Sequence, residues 1–420
     1  MNLLIRNARV VQSGGAPTLP SACVRVEGDR IVSIEPTGTG AKADTVIEAE
    51  GRVLMPAFVD AHTHALWAGE RLDEFEMRQK GAAYLDILKA GGGILSTVCA
   101  VRAASEHELA ENLARRLSVM LREGSTTIEV KSGYGLTTTD ELKMLRAIAA
   151  AARNFPGTIV PTALLGHAID PRQARFIDTV VEETLPAVNR EFPRITIDAF
   201  CEEGAWSLAD CRRLFTKARA LGHPIRLHAD QFNRLGALDL AMELGARSVD
   251  HLEASSSEDL RCLAPSPVFG VMLPACGFHA DSRYANGRAF LDAGGKLVLA
   301  TNCNPGSAPT SSVPFIIALA VRKLGLRVNE AIAATTSTAA QLLGLGGLGR
   351  IAPSFRADLV LLRHRDERLL GFEFGGNPVD LVICAGRVAH ASTGTPANAR
   401  AWKRLTKPQP GGKVANLRFS

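Results

Sequence analysis

With 420 residues, 46% apolar side chains and 38 Gly, the chain can bury a large core and still support a smaller accessory unit, as a turn-rich enzyme would. Its net charge of +5 is mild, and the stretch from Arg400 to Arg418 carries six Lys or Arg and no acid, which accounts for the excess. No aromatic-basic patch accompanies that stretch and no apolar run is long enough to span a bilayer, which argues against a nucleic-acid binder and a membrane protein.

The N-terminus, Met1-Asn-Leu-Leu-Ile-Arg6, has no basic segment followed by a long apolar core, so a cytoplasmic protein without a secretory leader is expected. Residues 1–56 read as short strands at 3–5, 22–26 and 30–34, separated by Gly-rich turns at Ser13-Gly-Gly and Glu27-Gly-Asp. A further apolar run, 53–61, ends in His62-Thr63-His64. Residues i and i+2 of a strand face the same way, so the two imidazoles project together and make half of a divalent-metal site.

From 57 to 345 the pattern is strand then helix. Apolar strands recur at 127–130, 159–165, 195–200, 225–228, 248–251, 268–273 and 297–301, with helical patterns such as 105–121, 140–152 and 208–221 between them. Together with 53–61 that makes eight alternating units, which point to an α/β fold, a (β/α)8 TIM barrel. After 346 the chain is β-like again, at 349–351, 357–362, 381–385 and Val388. The strands of 1–56 and 346–396 need each other as partners, so they are expected to form one small composite β-sandwich domain beside the 57–345 catalytic barrel. The basic tail, 397–420, with Pro408-Gln-Pro-Gly-Gly, reads as poorly ordered. The eight cysteines, Cys23, Cys99, Cys201, Cys211, Cys262, Cys276, Cys303 and Cys384, form no Cys-X-X-Cys, which argues against a disulfide framework and a zinc ribbon.

Barrels of this type carry their chemistry at the C-terminal ends of the strands. The polar residues there are His62 and His64, Lys131-Ser-Gly-Tyr134, Gly166-His167, Phe200-Cys-Glu202, His228-Ala-Asp230-Gln231, Asp250-His251 and Thr301-Asn302-Cys-Asn304-Pro-Gly306. One His at a strand end is commonly structural, but five of the chain's ten histidines sit there. Metal-assisted hydrolysis is the reaction class that such a cluster serves.

The His-X-His after the first strand, with His228, His251 and the position after the eighth strand, resembles the amidohydrolase superfamily. Phe58-Val-Asp-Ala-His-Thr-His64, Ala90-Gly-Gly-Gly-Ile94, Glu129-Val-Lys-Ser-Gly-Tyr-Gly-Leu136, Glu141-Leu-Lys-Met-Leu145, Leu227-His-Ala-Asp-Gln231, Asp250-His-Leu-Glu253 and Asn302-Cys-Asn-Pro-Gly306 are similar, within it, to the imidazolonepropionase family of histidine degradation. The resemblance runs in order from the N-terminus to residue 392. It implies hydrolysis of 4-imidazolone-5-propionate to N-formimino-L-glutamate on one zinc or iron ion, with His62, His64, His228 and the residue at 302 as metal ligands. It further implies His251 beside the bound water or the leaving group, Arg71, Tyr84, Tyr134 and His167 as substrate-binding positions, and a homodimer. Arg71 offers a planar charged fork for a propionate, against the alternative of a surface ion pair with Glu70, Asp73 or Glu74. Asn304 and Gly306 are placed to help.

The chain departs from the family at Asn302, where the pattern has Asp. An amide oxygen can ligate a hard ion but cannot take a proton near neutral pH. Either His251, with Glu202 or Asp230, carries the proton, or the chemistry has changed or been lost, or the Asn is an introduced substitution. His251, Asn302 and Gln231 are the candidates for the reaction itself. The competing readings are another cyclic-amide hydrolase or aminohydrolase of the superfamily, and a catalytically silent homologue that binds metal and ligand. Deaminases of this layout resemble a His-X-X-Glu pattern, and Gln231 stands at its Glu.

Overall fold

The computed structural model describes residues 2–36, 43–81 and 92–392. Tyr84, the first two residues of the 90–94 glycine motif and the basic tail lie outside the described residues. Strands β1 (Asn2–Val10), β2 (Leu19–Glu27) and β3 (Arg30–Pro36) form an antiparallel meander, with Gly28 at φ +61 making the tight turn between Glu27 and Arg30. β4 (Thr45–Glu48) and β5 (Val53–Pro56) run parallel to β1.

The single strand expected over 53–61 is two strands in different sheets. β5 belongs to the small sheet, and β6 (Phe58–Asp60) is the first barrel strand. Pro56 has no N–H with which to continue the ladder. Immediately after it, the backbone turns to new partners, with Ala57 N–H donating to Asp358 O (2.9 Å) and Phe58 N–H to Gly124 O (2.9 Å).

The barrel continues through β7 (Ser125–Lys131), β8 (Thr158–Gly166), β9 (Thr196–Cys201), β10 (Ile225–Ala229), β11 (Ser248–His251), β12 (Phe269–Met272) and β13 (Leu297–Leu299), all parallel and paired in sequence order. β13 stops short of the expected 301, because Thr301 leaves the ladder. Its N–H and hydroxyl donate to the two carboxylate oxygens of Asp60 (3.0 and 2.6 Å), so a side chain closes the seam between the last strand and the first. Asn302 N–H to His62 O (3.0 Å) and His64 N–H to Cys303 O (3.0 Å) extend that seam.

The helices cover the barrel by their apolar stripes. Glu106–Arg122 starts at a Ser105/Glu108 capping box and buries Leu109, Leu113, Leu117, Met120 and Leu121, spaced at three and four residues. Among the described residues no helix is long and apolar enough to cross a membrane.

β14 (Leu359–Leu362), β15 (Val379–Cys384) and β16 (Arg387–Ala391) then return to the small sheet, β14 pairing antiparallel with β5. The expected strand at 349–351 is not one, since Gly349 turns the chain at φ +76. Ile351 nevertheless joins a second core with Leu3, Ile5, Val24, Leu54, Leu359 and Ile383, around which the sheet folds.

Candidate active site

Three histidines reach one point from two strands. His62 and His64 follow β6, and His228 lies on β10. The His62 and His64 Nε2 atoms are 3.3 Å apart, as are those of His64 and His228. The other ring nitrogens of two of them are fixed from behind, His62 Nδ1 on Asp250 Oδ2 (2.6 Å) and His228 Nδ1 on Asp198 Oδ1 (3.1 Å). Such carboxylates set the ring's orientation and tautomer. Burial pushes all three imidazoles below their ordinary pKa, toward the neutral form.

A neutral ring that donates Nδ1–H to a carboxylate presents a bare lone pair at Nε2. Bare lone pairs at this separation repel one another unless a cation lies among them, so the donor set fits a divalent metal ion. Asn302 Oδ1 is a further buried oxygen with no hydrogen-bond partner.

Beneath the histidines lies a layer of charge with at most 2% exposure: Asp60, Glu129, Lys131, Asp198, Arg226 and Asp250. Lys131 Nζ donates to Glu129 Oε1 (2.7 Å) and Asp198 Oδ2 (2.8 Å), and Arg226 reaches Asp250 Oδ2 (2.5 Å) and Glu129 Oε1 (3.5 Å). A continuous chain of ion pairs thus joins the carboxylate behind His62 to the one behind His228. Four carboxylates against two cations leave an excess of two negative charges, the complement of a divalent ion. Burial raises the Asp60 carboxyl to about 7. The sequence placed Lys131 and Asp250 at strand ends but gave no role to Asp60, Glu129, Asp198 or Arg226. Their signal was a charge at alternate, inward positions of apolar strands, as at Glu129/Lys131 and Arg226/His228.

A wall of rings stands beside the histidines. His167 stacks on His64 with centroids 4.9 Å apart, and Tyr134 packs against His167 at 5.0 Å. The turn that carries Tyr134 is held by Glu141, whose carboxylate accepts from the backbone N–H groups of Gly133 (2.9 Å), Gly135 (2.8 Å) and Leu136 (3.0 Å). Gly133 has φ +111, and a Cβ there would lie 2.9 Å from Leu164 O and 3.0 Å from His167 Nδ1. Only glycine fits that approach. Burial raises the Tyr134 phenol well above its usual range, so it stays a neutral donor.

Arg71 makes a bidentate pair with Glu74, Nε and Nη2 each 2.6 Å from a carboxylate oxygen. The pair is largely screened from solvent, with side chains 11% and 9% exposed. It occupies one edge of the guanidinium and leaves Nη1 toward Gly306, where a Cβ would stand 2.8 Å away. The Asn304 side chain is engaged within its own loop, accepting from Gly306 and Ser307 N–H (both 2.8 Å) and donating to Asn302 O (2.6 Å).

His251 closes the other side, its ring 6.0 Å from His62 and 5.5 Å from His228, with Nδ1 3.3 Å from Glu253 Oε1. Asp230, His251 and Asn302 all have positive φ (+53, +95 and +54), so strained backbone marks three of the strand ends. Glu202 accepts from Phe232 N–H (2.9 Å) and Asn233 Nδ2 (2.8 Å), and so fastens the turn after β10. Asp230 Oδ2 accepts from Ser255 (2.7 Å). Gln231 is half-buried in that same turn.

Residues 74–390 match the model of the amidohydrolase family. An imidazolonepropionase of Herpetosiphon aurantiacus is 46% identical over 389 residues, which cover 88% of this chain and 90% of that protein. An imidazolonepropionase of Rubrobacter xylanophilus is 43% identical over 376 residues, 87% of this chain and 90% of the relative. Among solved structures, a 5-methylcytosine deaminase of Klebsiella pneumoniae superposes with a TM-score of 0.73 at 16% identity, over 95% of this chain and all of that one, a likeness of fold.

Proposed function

The chain belongs to the amidohydrolase family, and from that premise we propose that it hydrolyses the cyclic amide of 4-imidazolone-5-propionate to N-formimino-L-glutamate, in histidine degradation. The observation that carries this reading is the convergence of His62, His64 and His228 beside a wall of His167, Tyr134 and Arg71, an electrophilic centre next to groups suited to a small acid. The three histidines would hold one divalent ion, zinc or iron, and Asn302 Oδ1 would be the remaining donor. Bound there, such an ion polarises the ring carbonyl and lowers the pKa of a water to about 7.

The chain's own residues do the rest. Arg71 presents its Nη1 edge to the propionate, and the Tyr134 hydroxyl, Tyr84, His167 and the Gly306 segment orient it without adding charge. Asn302 and Gln231 are amides and take no proton near neutral pH. His251 has Nδ1 turned to Glu253, so Nε2 is the nitrogen that accepts the proton of the attacking water. The water's hydroxyl stays on the acyl carbon, the C–N bond breaks, and the proton passes to the leaving ring nitrogen.

Phe278, Phe372 and Phe374, 60%, 74% and 70% exposed, offer an apolar face for a second copy of the chain, which supports a homodimer. The cytoplasm is the location that suits this metabolic role.

The test is turnover of enzymatically generated imidazolonepropionate, followed as loss of its ultraviolet absorbance. Turnover that a chelator abolishes, and zinc or iron restores, is the expected result. The amides at 302 and 231 favour one second reading, a silent homologue that binds metal and ligand. A metal-replete chain that binds substrate without turnover would establish it.

A further inference from the structure

Next to Asn302, His251, Glu253 and Cys276 bring a nitrogen, an oxygen and a sulfur donor within 4.8 Å of one another. His251 and Cys276 are buried, at 3% and 4% exposure, and Glu253 is half-buried as a residue with its side chain 6% exposed. The proposed hydrolysis uses neither Glu253 for binding nor Cys276 for anything.

Glu253 poses the physical problem. Among the described residues its ion-pair partner is His251 alone, and its Oε2 has no hydrogen bond. A carboxylate desolvated to this degree without a full cation is costly. Cys276 adds a second clue, because its sulfur accepts a hydrogen bond from Asn302 Nδ2 (2.7 Å) and lies 3.9 Å from Ser307 Oγ. Burial and the neighbouring Glu253 carboxylate push the Cys276 thiol up to about 12, and the Asn302 N–H offsets only part of that rise, so the resting sulfur is a thiol whose proton an incoming cation must displace. The Asn at this position suits two neighbours at once, with its oxygen free on one side and its N–H on Sγ on the other.

We propose that His251, through Nδ1, Glu253 and Cys276 form a second cation site, for a thiophilic divalent ion of the zinc class. Mixed nitrogen, sulfur and carboxylate donors are the set that such ions select. Charge closes as well: one carboxylate and one thiolate balance two positive charges, with His251 neutral. As the sulfur–metal bond forms, the thiol proton leaves to the buffer, and no electron is transferred. With Nδ1 on the ion, the neutral His251 ring carries its hydrogen on Nε2, so an ion bound here withdraws the proton acceptor from the neighbouring centre. The inference stands on these residues alone and goes beyond the hydrolysis reading.

The test is titration of the chelator-stripped, full-length protein with cobalt(II), reading the thiolate-to-cobalt charge-transfer absorption and the bound metal by elemental analysis. The unaltered protein should bind two equivalents, with charge transfer from one of them. Cys276→Ser should abolish the charge transfer and one equivalent while keeping the other. His64→Ala should keep the charge-transfer band, which separates this site from the three-histidine centre. Should the variants fail to fold, proton release from the unaltered protein decides: one proton per thiolate-bound ion is expected. A single equivalent without charge transfer, a band that survives Cys276→Ser, or no proton release overturns the proposal. None of those outcomes bears on turnover, so a failure here is distinguishable from a failure of the hydrolysis reading.

Discussion

Lys131 and Asp198 form an ion pair with no solvent access, 2.8 Å between Nζ and Oδ2, and the other oxygen of Asp198 orients His228. A lysine in the floor of the barrel thus fixes the ring of a proposed metal ligand that it never touches. Lys131→Met removes the cation shared by Glu129 and Asp198 and leaves two buried carboxylates less compensated. The expected loss is about 3–5 kcal/mol of stability in urea unfolding. Metal affinity at the histidine centre should fall about 10–100-fold. A variant with wild-type stability and affinity would show that the pair is dispensable.

Asn302→Asp supplies a proton acceptor next to the histidine centre. Turnover should rise with kcat, while KM changes little, because the added group acts in the transition state and not in substrate binding. Steady-state kinetics on both proteins, with metal content matched, check this. Equal kcat values would mean that His251 already suffices.

Arg71→Lys keeps the charge and loses the planar fork. A point charge cannot hold Glu74 through two bonds and still present a third N–H toward Gly306. KM should rise about 10–100-fold, the worth of one or two charge-assisted hydrogen bonds, with a smaller change in kcat. An unaltered KM would remove Arg71 from the substrate site.

Acid stability has a local contributor far from the active site. Burial alone would raise the Glu330 carboxyl, but hydrogen bonds from the Arg327 side chain and backbone and from Arg288 bring it down to about 2. A depressed folded-state pKa stabilises above the ordinary carboxyl value of 4.5, and that stability disappears as pH falls through about 2. Glu330→Gln should therefore lower the urea midpoint near neutral pH and narrow its gap to wild type across that window. A gap independent of pH would assign the effect to packing.

The sequence made most of the active-site rim legible, for a physical reason. His62, His64, His167, His228 and His251 end apolar strands, where a polar residue contrasts with what precedes it, and the structure gathers those five rings. The floor was obscure because Asp198 or Arg226, inside a strand, looks like an interruption of an apolar run and names no partner. Glu74 illustrates the same limit. Its nearness to Arg71 raised a surface ion pair only as the alternative to a substrate role, and only the fold shows that the pair forms, largely screened from solvent, and leaves one edge of the fork spare. The run from 53 to 61 was read as one strand since both halves are apolar, and its division at Pro56 depends on two sheets that the local sequence does not describe.

That division has a consequence for how the protein is made. A single residue, Ala57, separates β5 from β6, so the strand bearing His62 and His64 is seated by the edge to which β5 is attached. One neighbour of β5 is β1, available early in synthesis, whereas the other is β14, at Leu359–Leu362, near the end of the described chain. The first barrel strand therefore waits on a segment that leaves the ribosome only after every other barrel strand. A nascent chain stopped short of β14 would expose the open edge of β5 and leave its two leading histidines unanchored from that side.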